Sequence, residues 1–361
     1  MSKVNLEEAD TCLQGLALLE RDESGDLMHV WSFPGVDETT KSTLLARSQL
    51  SDELVSKRAP YAFSRTGSVW HYSLCSFTVA VKGNNKRVTS FNLVLSSTKF
   101  APEKYQALLT IMSDVYSEKA NVVEVLGLYL SSYTSGSCFI PRPPDQPKGE
   151  WDARNFNDKK ALITNCSLRE VCSMFQAETI ILWQAMVLKK NILIHSDSIQ
   201  KMQRFVRTMP HFVFQRGESA WRALHPLIIG TPAEMDELSS IGYYVVGTTT
   251  ESLRADHAKM FDLFVDLDDR ILSVSEHAKK DFGMGKMHKQ IAGMLVEQIN
   301  AGSDSAVIKM IVGINNSLMK KLKGIDGGLT NDSLQKFSEA QSYSKSEARF
   351  VMNFSMSEGL L

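Results

Sequence analysis

Asn191-Ile192-Leu193-Ile194-His195-Ser196 decides the fold class. Three consecutive apolar residues leave no polar face, so the stretch reads as a short strand buried on both sides, as strands of a parallel sheet are. Downstream, Ile199, Met202, Phe205, Val206 and Met209 recur at helical spacing and stop at Pro210. Upstream, Leu168–Leu188 predicts one helix, apolar nearly all round at its end and therefore buried. Leu224–Gly230, Tyr243–Gly247 and Phe261–Asp266 repeat the buried-strand pattern, with a helix expected near Pro232–Ser240. Strands alternating with helices predict a largely parallel α/β sheet. Beyond Lys286 the pattern is helical throughout. Met287, Ile291, Met294, Leu295 and Ile299 form one stripe; Val307, Ile308, Ile311, Val312, Leu318, Met319 and Leu322 form another.

The first 135 residues follow a different rhythm. Thr11–Glu20, the turn residues Asp22, Ser24 and Gly25, and Leu27–Phe33 read as a hairpin. Asp37–Gln49 predicts a helix, and strands are expected at Tyr61–Arg65, Val69–Val81 and Arg87–Leu95. In the second of these, the apolar phase of Trp70, Tyr72 and Leu74 changes at Cys75–Ser76 to that of Phe77, Val79 and Val81. Side chains alternate faces along a strand, so the change predicts a bulge or bend there. Pro102 opens a helix carrying Tyr105, Leu108, Leu109, Met112, Val115 and Tyr116 on one face. Val122, Val125, Leu126, Tyr129, Leu130 and Tyr133 form a second stripe. The predicted order is β-β-α-β-β-β-α-α: an antiparallel sheet with helices packed on it. Four of the ten prolines (Pro141, Pro143, Pro144, Pro147) lie within Gly136–Lys160, which shows neither period and reads as an exposed linker.

Over 361 residues, Lys+Arg 40 against Asp+Glu 41 gives a net charge of −1. That balance supplies no electrostatic footprint for nucleic acid and no excess to hold an anionic membrane. Five cysteines, Cys12, Cys75, Cys138, Cys166 and Cys172, contain no CxxC pair, which argues against a disulfide framework or structural zinc and for a reducing compartment. The acidic N-terminus has no secretory pattern, and no apolar window is long enough to span a bilayer. A soluble, cytoplasmic protein is expected.

Motifs of covalent chemistry are weak. Asp281-Phe282-Gly283 lacks the other kinase motifs, and Gly283-Met284-Gly285-Lys286 lacks the spacing and the Ser/Thr of a phosphate loop. Neither HExxH nor GxSxG occurs. Asp262, Asp266, Asp268 and Asp269 cluster around Phe264–Arg270. Such carboxylates bind a divalent ion or act as acid and base, but they also end strands and form solvated turns; the turn is the favoured reading. No catalytic residue, cofactor or metal ligand is therefore expected.

In order along the chain, Leu188-Lys189-Lys190-Asn191-Ile192-Leu193-Ile194-His195-Ser196, Gly242-Tyr243-Tyr244-Val245-Val246-Gly247 and Val265-Asp266-Leu267-Asp268 resemble the core signatures of a DENN domain. The preceding β-β-α-β-β-β-α-α order resembles that family's longin-type lobe. Val30-Trp31 with Pro34, Phe100-Ala101-Pro102-Glu103-Lys104-Tyr105, Glu178-Thr179, and Met284-Gly285-Lys286 with His288-Lys289 extend the match over nearly the whole chain. The resemblance implies a longin-like lobe at 1–135, a proline-rich linker at 136–160, a central α/β core at 161–285 and a helical C-terminal part at 286–361. It also implies a guanine-nucleotide exchange factor for Rab GTPases of the Rab twenty-seven group, recruited to late endosomes through partners. A further implied partner is the set of coiled-coil subunits of the Commander endosomal recycling assembly, for which the chain would alternatively be a non-catalytic scaffold. Exchange needs no covalent residue. Trp31, as an interface anchor, and the turn Asp268-Asp269-Arg270, as a steering element, are the candidate partner-binding residues. For both, a purely structural role as sheet core or solvated turn stands beside the functional one.

Overall fold

The computed structural model describes residues 12–51, 59–77, 88–141, 149–157, 161–162, 167–325 and 328–361. The chain divides into two compact units: Met1–Thr164 with Ser198–Gln200, and Asn165–Asp197 with Lys201–Leu361.

The first unit is built on an antiparallel sheet of β1 (Leu13–Asp22), β2 (Leu27–Phe33), β3 (Tyr61–Thr66), β4 (Val69–Ser76) and β5 (Val88–Ser97), in the order β2-β1-β5-β4-β3. The helix α1 (Glu38–Ala46) follows β2; its N-cap Asp37 accepts from the Thr40 N–H and hydroxyl. Leu44 packs with Ala17, Leu19, Leu50 and Val94 on one face of the sheet. Two helices, α2 (Pro102–Lys119) and α3 (Val122–Ser135), follow β5. On the other face Tyr72 meets Tyr105 of α2 at 4.9 Å and Phe91 meets Tyr116 at 4.8 Å between ring centroids. The order of elements is the expected one; α1 and α3 open on the side-chain caps Asp37 and Asn121, and α2 opens on Pro102.

β4 stops at Ser76 and the chain bends at Phe77, next to the expected bulge or bend; Phe77 packs beside Ala17 and Leu19, and residues 78–81 lie outside the described residues. A further irregularity, not expected, sits in β2: Leu18 pairs with Trp31 but Leu19 pairs with His29, so Val30 is an extra residue in the strand. Within the span read as an exposed linker, β6 (Ser137–Ile140) pairs with β7 (Gly149–Asp152). Trp151 is buried there and donates its indole N–H to the Lys104 carbonyl. Four residues per strand are too short to show a period.

The second unit holds a mixed sheet ordered β12-β11-β8-β10-β9, from β8 (Ile192–His195), β9 (Leu224–Ile228), β10 (Val245–Thr248), β11 (Leu263–Asp266) and β12 (Ile271–Val274). β8 is parallel to β10 and β11, and β10 to β9; only β12, an edge strand, runs antiparallel. Every residue of β8 is buried, as its unbroken apolar run requires. Gly247 lets α6 (Ile199–Thr208) lie against the sheet: a Cβ there would stand 2.0 Å from Met202 Sδ and 2.6 Å from the Pro226 carbonyl oxygen.

The helix expected over Leu168–Leu188 is two, α4 (Leu168–Phe175) and α5 (Thr179–Val187), broken at Gln176 with φ 48°. A left-handed glutamine has no signature in a composition pattern. After β9 comes α7 (Pro232–Ser239), opened by a capping box between Thr231 and Glu234. The helical end comprises α8 (Lys286–Ala301), α9 (Asp304–Lys323), α10 (Asn331–Ala340) and α11 (Lys345–Ser357). Gly283 and Gly285 belong to their docking and not to a phosphate loop. A Cβ on Gly285 would meet the Glu347 carboxyl carbon at 2.3 Å, and Glu347 accepts from the Met287 N–H at the start of α8. Asp281 likewise binds Lys190 at 2.5 Å, Arg349 at 2.9 Å and Asn353 at 3.0 Å. Among the described residues no helix is long and apolar enough to cross a membrane.

Candidate functional site

In the first unit, the extra residue in β2 shapes an exposed apolar surface. Paired residues of antiparallel strands share a face. Phe33 opposes Leu16, Trp31 opposes Leu18 and Met28 opposes Glu20, so the insertion of Val30 brings Met28, Trp31 and Phe33 onto one face. His29 falls on the other, beside α1, where burial and the nearby Lys41 charge hold its imidazole below the usual value. Trp31 is half-buried, and its indole N–H is enclosed without a hydrogen-bond partner among the described residues. Met28 and Phe33 remain exposed on either side of it.

The surface continues onto α3. The Phe33 ring meets Tyr129 edge-on at 6.0 Å, and Tyr129 stacks on Tyr133 at 6.4 Å. Of the six residues read as an inward stripe, Val125 and Tyr129 are buried, whereas Leu130 and Tyr133 are exposed. Val123 is 75% exposed. A helix that is apolar nearly all round has one face to bury in its own unit and a second left over. Contiguous exposed apolar groups of this kind mark interaction surfaces. The sequence signalled Trp31 but not Phe33, Leu130 and Tyr133; the all-round apolarity of Val122–Tyr133 was the available sign.

In the second unit, Asp266 closes β11 and Ile271 opens β12, with Leu267-Asp268-Asp269-Arg270 as the turn. Asp266 Oδ1 accepts from the N–H groups of Asp268 and Asp269 at 2.9 and 3.0 Å, and Arg270 returns the chain at φ 59°. Asp269 and Arg270 face solvent. Asp268 does not point away with them. Its carboxylate accepts from Ser196 Oγ (3.0 Å), the Asp197 N–H (2.6 Å) and Lys201 Nζ (2.8 Å), tying the turn to the end of β8 and the first turn of α6. Partial burial raises its proton affinity; the bonds from Lys201, Asp197 and Ser196 outweigh that and hold the carboxyl below the usual aspartate range.

His195, at the end of β8, stands in register with Asp266. Its Nδ1 lies 3.5 Å from Asp266 Oδ2. β8 and β11 are neighbours whose chain connections leave in opposite directions across the sheet, and ligands of such sheets collect at the strand ends where that happens. Imidazole, carboxylate and ammonium groups thus meet at this end of the sheet, an arrangement that can hold charge and position.

Comparison with known proteins agrees with the fold. A family model described as "Stabilization of polarity axis" matches residues 165–276, the span that carries the mixed sheet. DENN domain-containing protein 10 of Dictyostelium discoideum is 27% identical over 96% of this chain and 97% of its own length. The Danio rerio protein of that name is 29% identical over 88% of the chain and 89% of its own. The Homo sapiens protein is 30% identical over 84% of the chain and 83% of its own. Identity at that level across more than four fifths of both sequences leaves one conclusion: the chain belongs to the DENN domain-containing protein 10 family.

Proposed function

We propose that the chain binds a Rab GTPase and accelerates its release of GDP. Family membership over nearly the whole chain carries the reading. The chemistry needs only differential binding. A protein that holds the nucleotide-free GTPase more tightly than the loaded one weakens nucleotide binding by the same coupling free energy. The apolar face of Met28, Trp31, Phe33, Leu130 and Tyr133 is the contact we assign to the GTPase, with aromatic rings as anchors. The exposed pair Asp269 and Arg270 is a second contact, suited to steering. Rabs of the twenty-seven group are the proposed clients, and late endosomes the proposed place of action. Coiled-coil subunits of a Commander-type recycling assembly are the proposed means of recruitment.

The test is release of fluorescent GDP from a panel of purified Rabs, with the chain at substoichiometric amounts. Acceleration confined to one Rab subgroup, lost in a Leu130→Lys/Tyr133→Glu variant of unchanged melting temperature, is the expected result. Acceleration for no Rab would overturn exchange and leave the scaffold role, to be sought by binding of the coiled-coil subunits.

A further inference from the structure

We propose that His195, Asp266 and Asp268 form a binding site for one divalent transition-metal ion of the zinc type. The three side chains offer ligand atoms that all lie within 4.8 Å of one another. Acidic residues at a turn gather for many reasons; His195 is what makes this group a site. It is 7% exposed, and neither ring nitrogen has a hydrogen-bond partner among the described residues. Buried imidazoles otherwise find a partner, since leaving one without costs about 1–3 kcal/mol. The ring is turned toward Asp266 Oδ2, whose sister oxygen already takes the two turn amides. That leaves one imidazole nitrogen and one carboxylate oxygen 3.5 Å apart without a hydrogen bond between them.

Their separation, 3.5 Å, matches the ~3.3–3.5 Å between adjacent ligands of a tetrahedral ion with bonds near 2.0–2.1 Å. Asp268 supplies the third ligand from the turn. Nitrogen and carboxylate donors together select zinc-type ions over magnesium or calcium, which prefer oxygen alone. Lys201 is the competitor: its ammonium donates to Asp268 Oδ1 and to the Leu267 carbonyl, neutralising part of the charge. Ser196 Oγ and the Asp197 N–H, which also bind Asp268, fix where that carboxylate sits. Metal entry therefore exchanges one cation for another of higher charge, and Lys201 sets the affinity. The inference is independent of the exchange reading and of either outcome of the GDP assay.

The test uses the intact chain, freed of metal with a chelator and titrated with Co²⁺, then with Zn²⁺ against a chromophoric competitor. One Co²⁺ per chain with the intense visible band of four- or five-coordinate cobalt is expected. Affinity should fall about tenfold or more in His195→Gln and in Asp268→Asn, and rise in Lys201→Gln. Asp268 is partly exposed, so its variant keeps the test sound if His195→Gln fails to fold. Absence of uptake by the wild-type chain, or uptake unchanged in Asp268→Asn, would overturn the site and leave a His195–Asp266 contact only.

Discussion

His71 lies in β4 opposite Ser96, buried and with its Nδ1 3.0 Å from the serine hydroxyl. Burial, reinforced by the Arg47 charge, lowers its pKa from 6.5 to about 4. Between those values the unfolded chain binds a proton that the native state refuses, so stability falls as pH falls. About 2 kcal/mol should disappear between pH 7 and pH 5 from this residue. Urea unfolding at the two pH values should show the loss in the wild type and a correspondingly smaller loss in His71→Gln; equal losses would remove His71 as the cause. Arg270 tests the turn in another way. An arginine at φ 59° carries roughly 1 kcal/mol of backbone strain that glycine lacks. Arg270→Gly should melt at the same or a higher temperature, and GDP release should slow if the guanidinium meets the GTPase. A lower melting temperature would instead make Arg270 a structural residue.

At the scale of elements, the seat of α11 is the sharpest test of packing. Gly285→Ala places a methyl where the Glu347 carboxyl already stands, and should cost about 1–3 kcal/mol. Calorimetry should show this while the same change at Gly127, where the added carbon meets nothing within 4 Å, leaves the melting temperature equal or higher. A neutral Gly285→Ala would mean that α11 yields easily. This glycine also marks what the sequence could disclose. The order of β1–β5 and of β8–β11 with their helices was legible, since apolar periodicity is local; the edge strand β12 was not. The break at Gln176, the hairpin around Trp151 and the extra residue in β2 were not, because a single left-handed residue or a four-residue strand leaves no period. For the site, Asp268 was legible as part of a turn. That its carboxylate faces Ser196 and Lys201, some seventy positions away, was not: only the parallel pairing of β8 with β11 brings them together.

Over the whole molecule, each unit has its own sheet and its own buried cluster. A cavity in one should therefore weaken that one first. Leu93→Ala, at a fully buried position of β5, should cost about 2–5 kcal/mol and speed amide exchange in β1, β4 and β5 more than in β8, β10 and β11. Equal acceleration in both sheets would show that the two units unfold as one.

The place of β8 at the centre of its sheet has a consequence in time. Both strands that flank it, β10 and β11, come later in the chain, beginning at Val245 and Leu263. On a ribosome adding ~5–20 residues per second, Ile192-Leu193-Ile194 emerges seconds before any strand exists to pair with it. For that interval a strand that ends wholly buried has two open edges. Synthesis thus creates a window in which the nascent chain depends on being held apart from its neighbours, and the window closes only when Val265 is made.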